Sequence, residues 1–182
     1  MTALLLALTL GTVPADGTWK DCSGKEHRPA DWKEAKAVVV FFLNTECPVA
    51  NFYAPEMAAL AKTARERGIV VLGAYPDPDV TAVAGAAHGK EYGLGFPCLL
   101  DGRQTLARSL GVKVTPEVAV LSPKGEVLYL GRIDDRYSPE GKRRVEPTVR
   151  DLNVALEAVL AGKPVPTPRT AAFGCPLPRL PE

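Results

Sequence analysis

The chain has 182 residues, 46% hydrophobic and 24% charged, which suits one globular domain with a real core. A formal net charge of +1 gives no electrostatic ground for nucleic acid or an anionic membrane as partner. Seventeen prolines, many near the C-terminus, point to an extended tail over 163–182 rather than to a second domain.

In chain order, residues 1–15 (MTALLLALTLGTVPA) read as a secretory signal. The apolar stretch Ala3–Leu10 is too short to span a bilayer, and Val13-Pro14-Ala15 offers a small-residue cleavage site before Asp16. The segment has no Lys or Arg, so an ordinary apolar N-terminus is the alternative. Export would place the four cysteines in a disulfide-permissive, periplasmic or otherwise extracytoplasmic compartment, with no membrane span in the mature chain. The mature domain is read over 18–162. It begins with an edge hairpin through Trp19 and the turn Ser23-Gly24-Lys25, then a polar connector with Trp32 as its aromatic anchor.

Residues 37–57, AVVVFFLNTECPVANFYAPEM, organise the rest of the chain. Ala37–Leu43 is a Val- and Phe-rich run that reads as a strand buried on both faces. Pro48 suits the first turn of a helix, where its missing N–H costs nothing. Cys47 is thereby set at a helix N-terminus, where unpaired N–H groups and the dipole favour a thiolate over a thiol. The helix runs from Pro48 to about Arg67, with Val49, Tyr53, Met57, Leu60 and Ala64 in one stripe and Gly68 as its stop. A second buried strand, Ile69–Ala74, leads to a helix from about Asp79 to Tyr92. Next come a short strand, Phe96–Asp101, and a short helix, Arg103–Leu110. Glu117–Leu121 and Glu126–Ile133, joined by Ser122-Pro123-Lys124-Gly125, form an antiparallel hairpin. A polar, basic loop precedes a last helix that starts at Thr148 or Asp151 and ends at Gly162. Early strand–helix alternation argues for parallel crossovers, to which the hairpin adds an antiparallel edge.

The strand ending before Thr45-Glu46-Cys47-Pro48, the later Val114-Thr115-Pro116 before a hairpin, and the final helix resemble the thioredoxin superfamily. More closely, Ala37 to Cys175 resembles exported bacterial redoxin-domain proteins of the alkyl hydroperoxide reductase/thiol-specific antioxidant group. The resemblance implies a three-layer α/β fold, its mixed central sheet flanked by helices on both faces. It also implies Cys47 as redox nucleophile and Thr115-Pro116 as a cis-proline motif lying against it. The departures are specific. Ala50 stands where thioredoxin-type reductases carry the second cysteine of Cys-x-x-Cys. Asn44 stands where typical peroxiredoxins carry threonine, and Asn51 where Sco-type copper chaperones carry their second cysteine. With only His27 and His88 in the chain, neither a metal nor another cofactor is expected.

A helix-start thiolate attacks a peroxide O–O bond to give a sulfenic acid, or a disulfide sulfur to give a mixed disulfide; either needs a second thiol. Thr45 is placed to hydrogen-bond the sulfur or the substrate. Arg132 and Arg136, in GRIDDRY, are candidates to stabilise the thiolate and the departing oxyanion, or else are ion-paired to Asp134 or Asp135. Cys175 ranks first as resolving thiol, then Cys22, then Cys98, which reads as buried and inert; a Cys22–Cys175 disulfide competes. His88, late in its helix, reads as a favourable dipole contact, and Lys142-Arg143-Arg144 as a solvated loop. The expected function is therefore thiol-dependent oxidoreduction of a peroxide or a disulfide-bearing protein, with an external thiol as reductant and an antioxidant role. The alternatives are a redox-inactive binding module built on the Thr115-Pro116 groove, or one component of an electron-transfer assembly.

Overall fold

The computed structural model describes residues 11–180. The expected signal, 1–15, therefore lies largely outside the described residues. Of its last part, Thr12 lies alongside Glu126, and buried Val13 donates its N–H to the Gly125 carbonyl at 2.9 Å.

The strands are β1 (Trp19–Lys20), β2 (Glu26–His27), β3 (Ala37–Phe42), β4 (Ile69–Tyr75), β5 (Cys98–Leu100), β6 (Val114–Thr115), β7 (Glu117–Leu121), β8 (Val127–Gly131) and β9 (Cys175–Pro176). The helices are α1 (Pro48–Ala64), α2 (Ala82–Glu91), α3 (Thr105–Leu110) and α4 (Asp151–Leu160). The central sheet runs β5-β4-β3-β7-β8, with β3, β4 and β5 parallel and β7 and β8 antiparallel. All six residues of β3 are buried, because helices cover the sheet on both sides; that is why its sequence is unbroken Val and Phe after Ala37. Val39 and Phe41 pack under Tyr53 and Met57 of α1 and Leu152 and Leu156 of α4. Val38, Val40 and Phe42 face Leu106 and Leu110 of α3, with Trp19 and Trp32. β7 and β8 form the expected hairpin, with a register irregularity at Val120/Leu121.

Two helix starts fall later in the chain than the sequence reading has them, and α4 begins at the later of the two positions read for it, each for a local reason. Thr81 caps α2, its hydroxyl accepting from the Ala84 N–H at 3.2 Å. Asp101 accepts from the Leu106 and Ala107 N–H groups at 3.1 and 2.9 Å, so α3 begins at Thr105. Thr148 turns its hydroxyl, and its N–H at 2.7 Å, to the Asp135 carboxylate instead of capping α4. At the other end, α1 stops at Ala64, and the chain turns into β4 through Gly68 at φ 73°.

The tail is laid back over the domain. Thr170 hydroxyl meets Tyr129 Oη at 2.7 Å, the Leu177 N–H reaches the Lys113 carbonyl at 3.2 Å, and Gln104 Nε2 donates to the Pro178 carbonyl at 2.7 Å. Between these anchors β9 pairs antiparallel with β6.

Candidate active site

Cys47 is the N-cap residue of α1, with extended backbone (φ −79°, ψ 111°), and its carbonyl accepts the first helical bond from the Asn51 N–H at 3.0 Å. Its thiol is buried, 1% exposed, and donates to the Thr115 carbonyl at 3.1 Å. The Thr115–Pro116 peptide bond is cis. In the β6–β9 register Thr115, whose carbonyl receives the Cys47 thiol, stands opposite Cys175, so Cys175 lies beside Cys47. Burial, and then the hydrogen bond and charge of Cys47, push the Cys175 thiol up to about 11. Cys175 is thus a protonated, half-buried thiol held against a fully buried one. The approach is close: a β-carbon at Gly174 would run into the Thr115 carbonyl, so only glycine fits beside the motif.

The other residues singled out by sequence divide clearly. Pro48 opens α1, and Thr45, half-buried, offers its carbonyl to Asn51 Nδ2 at 3.1 Å. Arg132 does not turn to Cys47. Its guanidinium holds Asp151 at the start of α4, with Nε to Oδ2 at 2.8 Å. Arg136 pairs with Glu56 of α1 and with Asp134 Oδ2 at 2.9 Å, and stacks on Phe52 and Tyr53 at 5.4 and 5.5 Å from the ring centroids. Cys22 and Cys98 lie together at the β5 edge, two strands from β3. The Cys22 N–H donates to the Cys98 carbonyl at 2.9 Å, while Cys175 sits with Thr115.

Sequence reasoning missed the polar chain behind the Cys47 loop. Asn51, one turn into α1, donates to Tyr92 Oη at 3.2 Å as well as to Thr45. Its Oδ1 meets His88 Nε2 at 2.8 Å, and His88 Nδ1 meets Tyr75 Oη at 2.8 Å. Burial pushes the His88 pKa down, and with Asn51 and Tyr75 on its two ring nitrogens the ring ties α2 to α1 and β4 rather than simply facing a helix end. Among the described residues no group of three or more His, Cys, Asp and Glu is arranged to hold a metal, and no helix is long and apolar enough to cross a membrane.

The sequence profile of the AhpC/TSA family matches residues 11–130, which takes in Cys47, Thr115 and Pro116. The chain belongs to the AhpC/TSA family. As an AhpC/TSA protein it is a thiol-based redoxin, and its distant relatives include thiol-disulfide oxidoreductases and peroxiredoxins. It is 26% identical over 122 residues to the thiol-disulfide oxidoreductase ResA of Geobacillus thermodenitrificans, covering 66% of this chain and 68% of that one. A hypothetical protein of Sinorhizobium meliloti 1021 shares its fold with a TM-score of 0.80 and 31% identity, over 94% of both chains. An uncharacterized conserved protein of Geobacillus kaustophilus does so with a TM-score of 0.82 and 24% identity, over 95% of this chain and 93% of that one. The fold is the thioredoxin-like α/β arrangement with a mixed sheet and flanking helices. Cys175 falls beyond the residues that the AhpC/TSA profile matches.

Proposed function

We propose that this AhpC/TSA-family protein is a two-cysteine thiol-disulfide oxidoreductase whose second cysteine comes from the tail. Cys47 is the nucleophile and Cys175 the resolving thiol. The observation that carries this reading is the β6–β9 register, which seats Cys175 opposite Thr115 while the Cys47 thiol bonds the Thr115 carbonyl. The sulfur of Cys47 attacks one sulfur of a substrate disulfide and releases the other as a thiol, leaving a mixed disulfide. Cys175 gives up its proton and attacks the Cys47 sulfur. That step frees the second substrate thiol and closes a Cys47–Cys175 bond, which an external thiol reductant reopens. The same groove argues against a passive binding module, because the chain's own tail occupies it.

Peroxide reduction is the second reading, favoured by the family match. In it Cys47 takes the terminal oxygen, the alcohol or water leaves, and Cys175 expels water from the sulfenic acid to form the same disulfide. Against it stands the engagement of both candidate arginines with carboxylates, Arg132 with Asp151 and Arg136 with Glu56 and Asp134. The apolar Ala3–Leu10 stretch supports an exported, disulfide-permissive location.

Turnover of a model protein disulfide and of hydrogen peroxide by wild type, Cys47→Ser and Cys175→Ser tests the assignment. Cys47→Ser is expected to abolish both. Cys175→Ser is expected to stall after one event, with Cys47 held as the mixed disulfide with the protein substrate or as the sulfenic acid with peroxide. Undiminished turnover by Cys47→Ser would sink the proposal; rapid turnover of peroxide alone would select the second reading.

A further inference from the structure

The geometry points to a second redox pair in this chain, Cys22 and Cys98, that opens and closes by exchange with a low-molecular-weight disulfide. Asp21 and Leu99 face each other as an antiparallel bridge, so Cys22 and Cys98 are the next cross-strand pair and their side chains leave the same face. The Cys22 N–H donates to the Cys98 carbonyl at 2.9 Å, so the two backbones run side by side there, and cross-strand neighbours have Cα separations of about 4.5–5.5 Å, within the disulfide range.

Room has been left for both sulfurs. A β-carbon at Gly85 would sit 2.6 Å from Cys22 Sγ, and one at Gly73 would sit 2.8 Å from Cys98 Sγ. Tyr75 Oη lies beside both thiols and is itself tied to His88 Nδ1 at 2.8 Å. Cys22 is half-buried and Cys98 is 6% exposed. A cavity of about 470 Å³, with Cys22, Cys98, Gly85, Gly89 and Phe96 in its wall, leads to them from the surface beside α2. The one carboxylate at its edge, Asp21, is already occupied by His27, Ser23 and Lys25.

The order of events is set by access. Cys22, the more exposed, loses its proton and attacks the incoming disulfide, forming a mixed disulfide and expelling one small thiol. Cys98, whose thiol burial pushes up to about 12, gives up its proton only when the mixed disulfide is alongside. It attacks the Cys22 sulfur, closes Cys22–Cys98 and expels the second small thiol. Two protein thiols are oxidised by two electrons, the small disulfide is reduced to two thiols, and both protons leave on them.

The test uses the full chain carrying Cys47→Ser and Cys175→Ser, so that its outcome is independent of the chemistry proposed at Cys47. It is equilibrated in buffers of reduced and oxidised glutathione, acid-quenched, alkylated and mapped by mass spectrometry. The expected result is one reversible two-electron transition between two alkylated thiols and a Cys22–Cys98 linked peptide. Adding Cys98→Ala is expected to stall Cys22 as its glutathione adduct, and adding Cys22→Ser to leave Cys98 unmodified. Free thiols at every ratio, a glutathione adduct without a linked peptide, or a bond that never reopens would each overturn the proposal. The same peptides mapped in wild type decide the matter if the double variant does not fold.

Discussion

In the proposed mechanism a single backbone register places Cys175: one residue of slip would turn its side chain to the opposite face and away from Cys47. The arginines do different work. Arg132→Ala should cost about 1 kcal/mol by chemical denaturation and leave turnover intact, because its partner is Asp151. Arg136→Ala should cost about 3 kcal/mol, since it removes the cation paired with the buried Asp134 carboxylate, which then keeps only the Tyr53 hydroxyl and a backbone N–H, and with Glu56. Equal losses in the two would contradict this division. Asp21 gives a pH signature. Burial pushes its carboxyl up, but hydrogen bonds from Ser23, His27 and Lys25 outweigh it and bring the pKa from 3.8 to about 2. A pKa depressed by folding stabilises above the unfolded value and is lost as pH falls through the folded one. The Tm gap between wild type and Asp21→Asn should therefore be full above about pH 5 and close as pH falls toward about 2. A gap that does not change with pH would contradict it.

At the scale of elements, β3, α1 and the Thr115-Pro116 turn were legible because each rests on local grammar: a run buried on both faces, a proline at a helix start, and a short motif before a hairpin. Neighbours far along the chain were not legible. His88 reads locally as a helix-end residue, yet β4 and α1 bring Tyr75 and Asn51 to its two ring nitrogens. Nothing in the spacing of Cys22 and Cys98 announces that a bridge between Asp21 and Leu99 sets them side by side. GRIDDRY likewise carries no sign that Arg132 turns to α4 and Arg136 to α1. The polar chain fixes the approach to Cys47 through α1. Asn51→Ala removes partners from His88 and from the Thr45 carbonyl, and should cost about 1–3 kcal/mol by thermal or denaturant unfolding. It should also speed amide exchange over residues 44–47; unchanged exchange would show that the loop is held by other contacts.

Across the whole molecule, the proline-rich tail is laid against β6 and brings Cys175, the residue ranked first by sequence as resolving thiol, to the Thr115-Pro116 motif. It is pinned on both sides of Cys175, by Thr170 to β8 and by Gln104 to Pro178, while the β6–β9 pairing itself is only two residues long. That combination suits a thiol that stays near Cys47 yet yields to a substrate. A chain ending at Gly162 should keep its far-UV dichroism, since the sheet and four helices precede the cut. It should lose internal resolution, because a tethered thiol acts at an effective concentration of about the mM range, which added thiol must then supply. The most direct test of the account is to oxidise reduced wild-type protein with one equivalent of a small disulfide and map the products by mass spectrometry. The account predicts an intramolecular Cys47–Cys175 linkage, present in wild type and absent from both single serine variants. A Cys47 bond to Cys22, to a second molecule, or to the oxidant alone with Cys175 free would contradict it.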